Sequence, residues 1–164
     1  MGEWAGAIGV AHQERERELR DAVRDEAKAV EASDPLGIEY FAGDASDLDL
    51  DLRFDVVTAI HLLHYLQNRE EIAGVLAHVH SLLNDPGRFI TMVINPEFDL
   101  DKHDPEDSKT KFAFYFSEAP RENGAVMRFH PGGFEKEREL TIELRRWHRG
   151  FLNDIARETG FEPE

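Results

Sequence analysis

Two histidines three residues apart, His61 and His64, follow the run Phe54-Asp55-Val56-Val57-Thr58-Ala59. Imidazole titrates near neutral pH, so a histidine on a loop beyond a strand end is placed to orient or deprotonate a hydroxyl or an amine. The competing role is structural: His64 packs against the sheet edge and His61 is solvated. A second pair, His78 and His80, suggests a metal, but residues two apart on a helix point to different faces. Both are expected to be structural, and no metal site is expected. Asp44 stands in a Gly-Asp dipeptide, a standard turn pair. The chain has no cysteine, which excludes a thiolate nucleophile, a disulfide framework and cysteine-ligated zinc.

These residues need elements to hold them. Trp4 to Val10 is small and apolar and reads as a short buried strand. It feeds a helix over roughly Gln13 to Ala32, where Leu19, Ala22, Val23, Ala27 and Val30 recur at three- and four-residue spacing. Gly37 to Ala42 reads as a second strand and Phe54 to Ala59 as a third, whose unbroken β-branched centre suits a parallel strand covered on both faces. Asn68 with Glu71 makes a capping-box pattern ahead of the stripe Ile72, Val75, Leu76, Val79, Leu82 and Leu83. Asn84-Asp85-Pro86-Gly87 reads as a turn and Arg88 to Ile94 as a fourth strand, stopped by Asn95-Pro96. Strands alternating with helices argue for crossover units and a parallel sheet, an α/β class. Residues 97 to 111 then read as a solvated loop. Lys111 to Phe116, Ala125 to Phe129 and Glu139 to Arg145 read as strands, with Phe112, Phe114 and Phe116 on one core-facing side, and a last helix runs near His148 to Thr159, closed by Gly160.

The 164 residues, 41% hydrophobic and 32% charged, suit a single domain over 1–164. No apolar run approaches the roughly 20 residues of a transmembrane helix, and no leader pattern opens the chain, so a cytoplasmic location is expected. A formal charge of -15 repels nucleic acid and anionic membrane surfaces, so neither is expected as a partner.

Four features in order carry a resemblance: Gly43-Asp44-Ala45 after a strand, Phe54 to Ala59 opening the next, Leu62-Leu63-His64-Tyr65 after it, and Leu83-Asn84-Asp85-Pro86-Gly87-Arg88-Phe89 between a helix and the fourth strand. Together they resemble the central motifs of class I S-adenosylmethionine-dependent methyltransferases of the small-molecule kind, over roughly residues 5 to 161. The closing Glu158-Thr159-Gly160-Phe161 resembles the end of that family's last large helix. The resemblance implies a Rossmann-like, mostly parallel sheet with helices on both faces and an antiparallel insertion near 112–146. It implies S-adenosylmethionine as cofactor, with Asp44 and Ala45 contacting the adenine and Ala59, Ile60, His61 and Leu62 beside the methionine part and the sulfonium. His64 is the candidate catalytic residue, and the implied reaction is methyl transfer to a small-molecule acceptor.

The chain also departs from the family pattern. Asp85 is inserted before Pro86, and Arg88 stands where a second glycine is usual. The family's first strand and glycine-rich turn have no counterpart, and Gly2, Gly6 and Gly9 do not substitute for them. Ala11, flanked by Val10 and His12, occupies the position of the acidic residue that binds the ribose hydroxyls. The sheet is therefore expected to be incomplete, the domain truncated at both ends and donor affinity weak. The alternative function is a non-catalytic domain of the same descent that associates with itself or a partner chain through exposed sheet edges.

Overall fold

The computed structural model describes residues 13–41, 43–97, 114–118, 120–131 and 141–164. The expected strand at Trp4 to Val10, most of the loop beyond residue 97, and Phe112 lie outside them. The chain divides into two compact units, Ala7–Asp44 and a main unit that includes Ala45–Glu164.

In the first unit, helix α1 spans Gln13–Ser33, close to the expected bounds. Its end is held by an acceptor from within the helix: Glu31 Oε1 accepts from the backbone N–H groups of Leu36, Gly37 and Ile38 at 2.7, 2.6 and 3.0 Å. These bonds hold the Glu31 carboxyl below its ordinary range. They also explain a correction to the expected strand at Gly37 to Ala42. Its first N–H groups are taken by a carboxylate and Gly37 sits at φ +79°, so residues 37–41 form no strand; Ala42 lies outside the described residues.

The main unit is built on a parallel strand–helix–strand crossover. Strand β1 spans Phe54–Ile60, helix α2 Arg69–Leu82 and strand β2 Leu83–Met92. Asn68 caps α2 by accepting from the Glu71 N–H at 2.9 Å, and Glu71 in turn accepts from the Gln67 N–H at 2.7 Å. The Asn68 half is what the capping-box spacing predicts, whereas the Glu71 carboxylate reaches the N–H before the cap and the Asn68 side-chain amide instead of the Asn68 backbone N–H. Ile72, Val75, Leu76 and Val79 of α2 are buried with Leu63, Leu66, Trp147, Leu152 and Ile155, and Val57 and Phe89 of the sheet pack against them. On the opposite side of the sheet Val56, Ile60, Ile90 and Met92 are each about half exposed.

The expected turn at Asn84 to Gly87 is instead part of β2. Phe54 pairs with Leu83 and Val56 with Arg88, so four residues of β2 stand opposite the single Asp55 and the excess bulges from the ladder. Asn84 Nδ2 donates to Asp55 Oδ1 at 2.8 Å across the bulge. A Cβ on Gly87 would lie 2.5 Å from the Asn84 carbonyl oxygen, so the bulge requires glycine there.

Strands β3 (Phe114–Glu118), β4 (Val126–Pro131) and β5 (Ile142–Arg145) form an antiparallel sheet in that order, around buried Phe116, Met127 and Leu144. Helix α3, Arg149–Glu158, returns Leu152 and Ile155 to the main core. Its end is turned by Gly160 at φ +100°, which lies close against His80.

Candidate active site

Strand β1 delivers its last residues to the carboxyl end of the parallel sheet, where ligands of open α/β sheets bind. Ala59 is buried and Ile60 half exposed. His61 then breaks the strand: its backbone takes φ +57°, and its N–H donates to the Met92 carbonyl at the end of β2, 2.9 Å away. A left-handed backbone at a residue with a Cβ costs on the order of 1 kcal/mol, which the bond to β2 and the packing of the next residues offset. Leu62 leads into a single 3₁₀ turn, Leu63–Tyr65, closed by the Tyr65 N–H on the Leu62 carbonyl at 3.0 Å. Leu63 and Leu66 anchor the turn in the main core.

That anchoring sorts the two histidines. His61 is exposed, whereas His64 is only 3% exposed. Their ring centroids are 5.4 Å apart, and the His64 ring also meets Tyr65 at 4.7 Å. Among the described residues the buried His64 Nδ1 has no hydrogen-bond partner. Leaving such a group unpaired costs roughly 1–3 kcal/mol. Burial first, and the nearby His61 second, push its pKa from 6.5 down to about 4, so the ring is neutral at physiological pH. Burial also raises Tyr65. The turn therefore presents backbone, apolar side chains, an uncharged buried imidazole and a protonated phenol.

Of the residues singled out in the sequence, Ala59, Ile60, His61, Leu62 and His64 come together in this one continuous segment. Asp44 closes the first unit, half buried, and Ala45 belongs to the main unit, where it packs against the core. His78 and His80 face apart as expected: His78 Nε2 bonds to the Leu48 carbonyl at 3.1 Å, while His80 meets Phe161 edge-on at 5.1 Å. Among the described residues no cluster could hold a metal ion. Phe116 is core, against Phe129 at 5.3 Å. Sequence reasoning did not single out Tyr65 as the neighbour of His64, nor Arg146, which is buried just past β5 with a guanidinium N–H donating to the Pro96 carbonyl beyond β2. Burial, then Arg121, lower the Arg146 pKa, against an opposing effect of Glu122. A period-two strand pattern carries no signal for an arginine buried by a distant loop.

A model of the methyltransferase domain matches residues 7–164. The chain belongs to the methyltransferase domain family. No curated protein matches it. Among solved structures, this methyltransferase domain is similar to a Pyrococcus horikoshii protein, with a TM-score of 0.60 at 19% identity over 82% of the chain. It is also similar to DesVI of Streptomyces venezuelae (0.55, 16%, 85% of the chain) and to a Clostridium acetobutylicum S-adenosylmethionine-dependent methyltransferase (0.53, 14%, 82%). These likenesses support the α/β fold. The matches cover 58%, 64% and 58% of those chains respectively, so the methyltransferase domain described here spans about three-fifths of the length of its structural neighbours.

Proposed function

We propose that the chain transfers a methyl group from S-adenosylmethionine to a small-molecule acceptor, with the segment Ala59–Tyr65 as the floor of the donor site. The observation that carries this reading is the turn itself, a left-handed step at His61 and an uncharged, buried His64 at the carboxyl end of the parallel pair β1–β2. The donor set fits the group. No lysine or arginine stands between Ala59 and Asn68, so nothing in the turn carries a fixed positive charge to repel a sulfonium, and the depressed pKa of His64 keeps that ring neutral as well. When bound, the cofactor supplies a methyl carbon on a positively charged sulfur, a group that needs only a nucleophile held in line with it.

In this reading Ala59, Ile60, His61 and Leu62 lie beside the methionine part, and Asp44 and Ala45 take the adenine, where the carboxylate accepts from its amino group. His64 faces the acceptor. No helix among the described residues is long and apolar enough to cross a membrane. Calorimetric titration of the full chain with S-adenosylmethionine tests the reading. Saturable one-to-one binding, lost in Asp44→Ala, supports it; no heat at millimolar donor contradicts it.

A second reading, a non-catalytic domain that self-associates, is favoured by one observation: Val56, Ile60, Ile90 and Met92 leave one side of the β1–β2 pair about half exposed. Sedimentation that shows a stable dimer together with absent donor binding would select it.

A further inference from the structure

The turn Ala59–Tyr65 is backed by the segment that continues β2. The Met92 carbonyl accepts from the His61 N–H at 2.9 Å. Beyond it the side chains alternate, as they do along extended backbone: Val93 packs against the main core, whereas Ile94 joins Tyr65 against Phe116, Met127 and Leu144 of the antiparallel sheet. Two residues further on, the Pro96 carbonyl accepts from the Arg146 guanidinium. The backing of the turn is thus fastened at its far end by a side chain 50 residues later in the chain.

Arg146 is itself held firmly. Its N–H donates to the Ala125 carbonyl at 2.9 Å and its carbonyl accepts from the Gly124 N–H at 2.6 Å, which carries the β4–β5 ladder past the end of β5. Its side chain is buried. The preceding residue ties the other end of the turn: Arg145 Nε donates to Gln67 Oε1 at 3.2 Å, and Gln67 Nε2 donates to the Tyr65 carbonyl at 2.8 Å. Taking a guanidinium out of water is costly, and an apolar side chain commonly fills such a place without loss of stability. What the hydrocarbon lacks is direction, which the rigid fork of N–H donors supplies.

We propose that Arg145 and Arg146 are positioning residues of the donor site, Arg146 fixing the Met92–Pro96 segment behind the turn and Arg145 fixing its exit, so that the antiparallel sheet keeps the floor of the site in shape. The inference rests on the methyl-transfer reading above. Both arginines act through the turn and not on the reacting atoms. A shift of Tyr65 is passed to His64, whose ring it meets at 4.7 Å.

The test is calorimetric titration of the full chain with S-adenosylmethionine, at a temperature where circular dichroism shows each variant folded, together with Overhauser contacts between the Tyr65 ring and the Ile94 methyl groups. Arg146→Met keeps an apolar stem and removes the donors. It is expected to weaken donor binding about tenfold and to diminish the Tyr65–Ile94 contacts. Arg146→Lys, which returns one charged donor, is expected to lose about threefold, and Arg145→Met a similar amount. Glu143→Gln removes only the 3.3 Å ion pair with Arg128 in the same sheet and is expected to change neither reading. Unchanged donor affinity in Arg146→Met, equal losses in Arg146→Met and Arg146→Lys, or an equal loss in Glu143→Gln would each overturn the proposal. If Arg146→Met does not fold, unchanged affinity in Arg146→Lys and Arg145→Met overturns it. A parent chain that binds no donor removes the methyl-transfer reading and this inference with it, whereas a donor-binding parent with indifferent variants removes the inference alone.

Discussion

A histidine kept neutral by burial ties stability to acid. The unfolded chain binds a proton at His64 below about pH 6.5, whereas the folded chain resists until about 4. The contribution is therefore fully present above pH 6.5 and is lost as the pH falls towards 4, because the unfolded state takes up the proton first. Urea titrations between pH 4 and 7 are expected to show a shallower loss of stability in His64→Leu than in the parent, and parallel curves would contradict the burial argument. The neighbouring backbone gives a second prediction. His61 at φ +57° tolerates His61→Gly, whereas His61→Val places a β-branched residue in the left-handed region at a cost of about 1–2 kcal/mol, measurable in the same titrations. The sequence made both histidines candidates and offered burial of one with solvation of the other as their structural alternative. That sorting depends on Leu63 and Leu66 reaching the core while His61 reverses the backbone, and a left-handed histidine leaves no trace in spacing.

Among the elements, α2 was the most legible, because its cap, first-turn acids and apolar stripe all agree. Asn68→Ala is expected to cost about 1 kcal/mol in thermal or chemical unfolding. Gly160→Ala is expected to cost at least that much, since φ is +100° and the new Cβ would lie 2.9 Å from His80 Nε2. The two misjudged segments share a cause, hydrogen bonds made by side chains that a periodicity cannot anticipate. Glu31 takes the N–H groups that would have begun a strand at Gly37, and Asn84 reaches Asp55 so that a turn-forming tetrapeptide is carried as a bulge within β2. The antiparallel strands β4 and β5 fall close to the expected segments Ala125 to Phe129 and Glu139 to Arg145, and they pack around Met127 and Leu144.

For the whole molecule, motif order was more informative than composition. Charge and length set only expectations about partners, whereas the α/β assignment came from the alternation of elements, and family membership rests on the match over residues 7–164. One core joins the turn to α2 and α3, with Ile72 and Ile155 fully buried in it. Ile72→Ala or Ile155→Ala is expected to cost about 2–5 kcal/mol and to weaken donor binding through loss of the turn's support. The central claim is that the segment Ala59–Tyr65 holds the methyl donor, and its most direct test is nuclear magnetic resonance of the full chain with S-adenosylmethionine carrying a ¹³C-labelled methyl group. Intermolecular Overhauser contacts are expected from that methyl to the side chains of Leu62 and His64. A bound donor whose methyl contacts neither residue would contradict it.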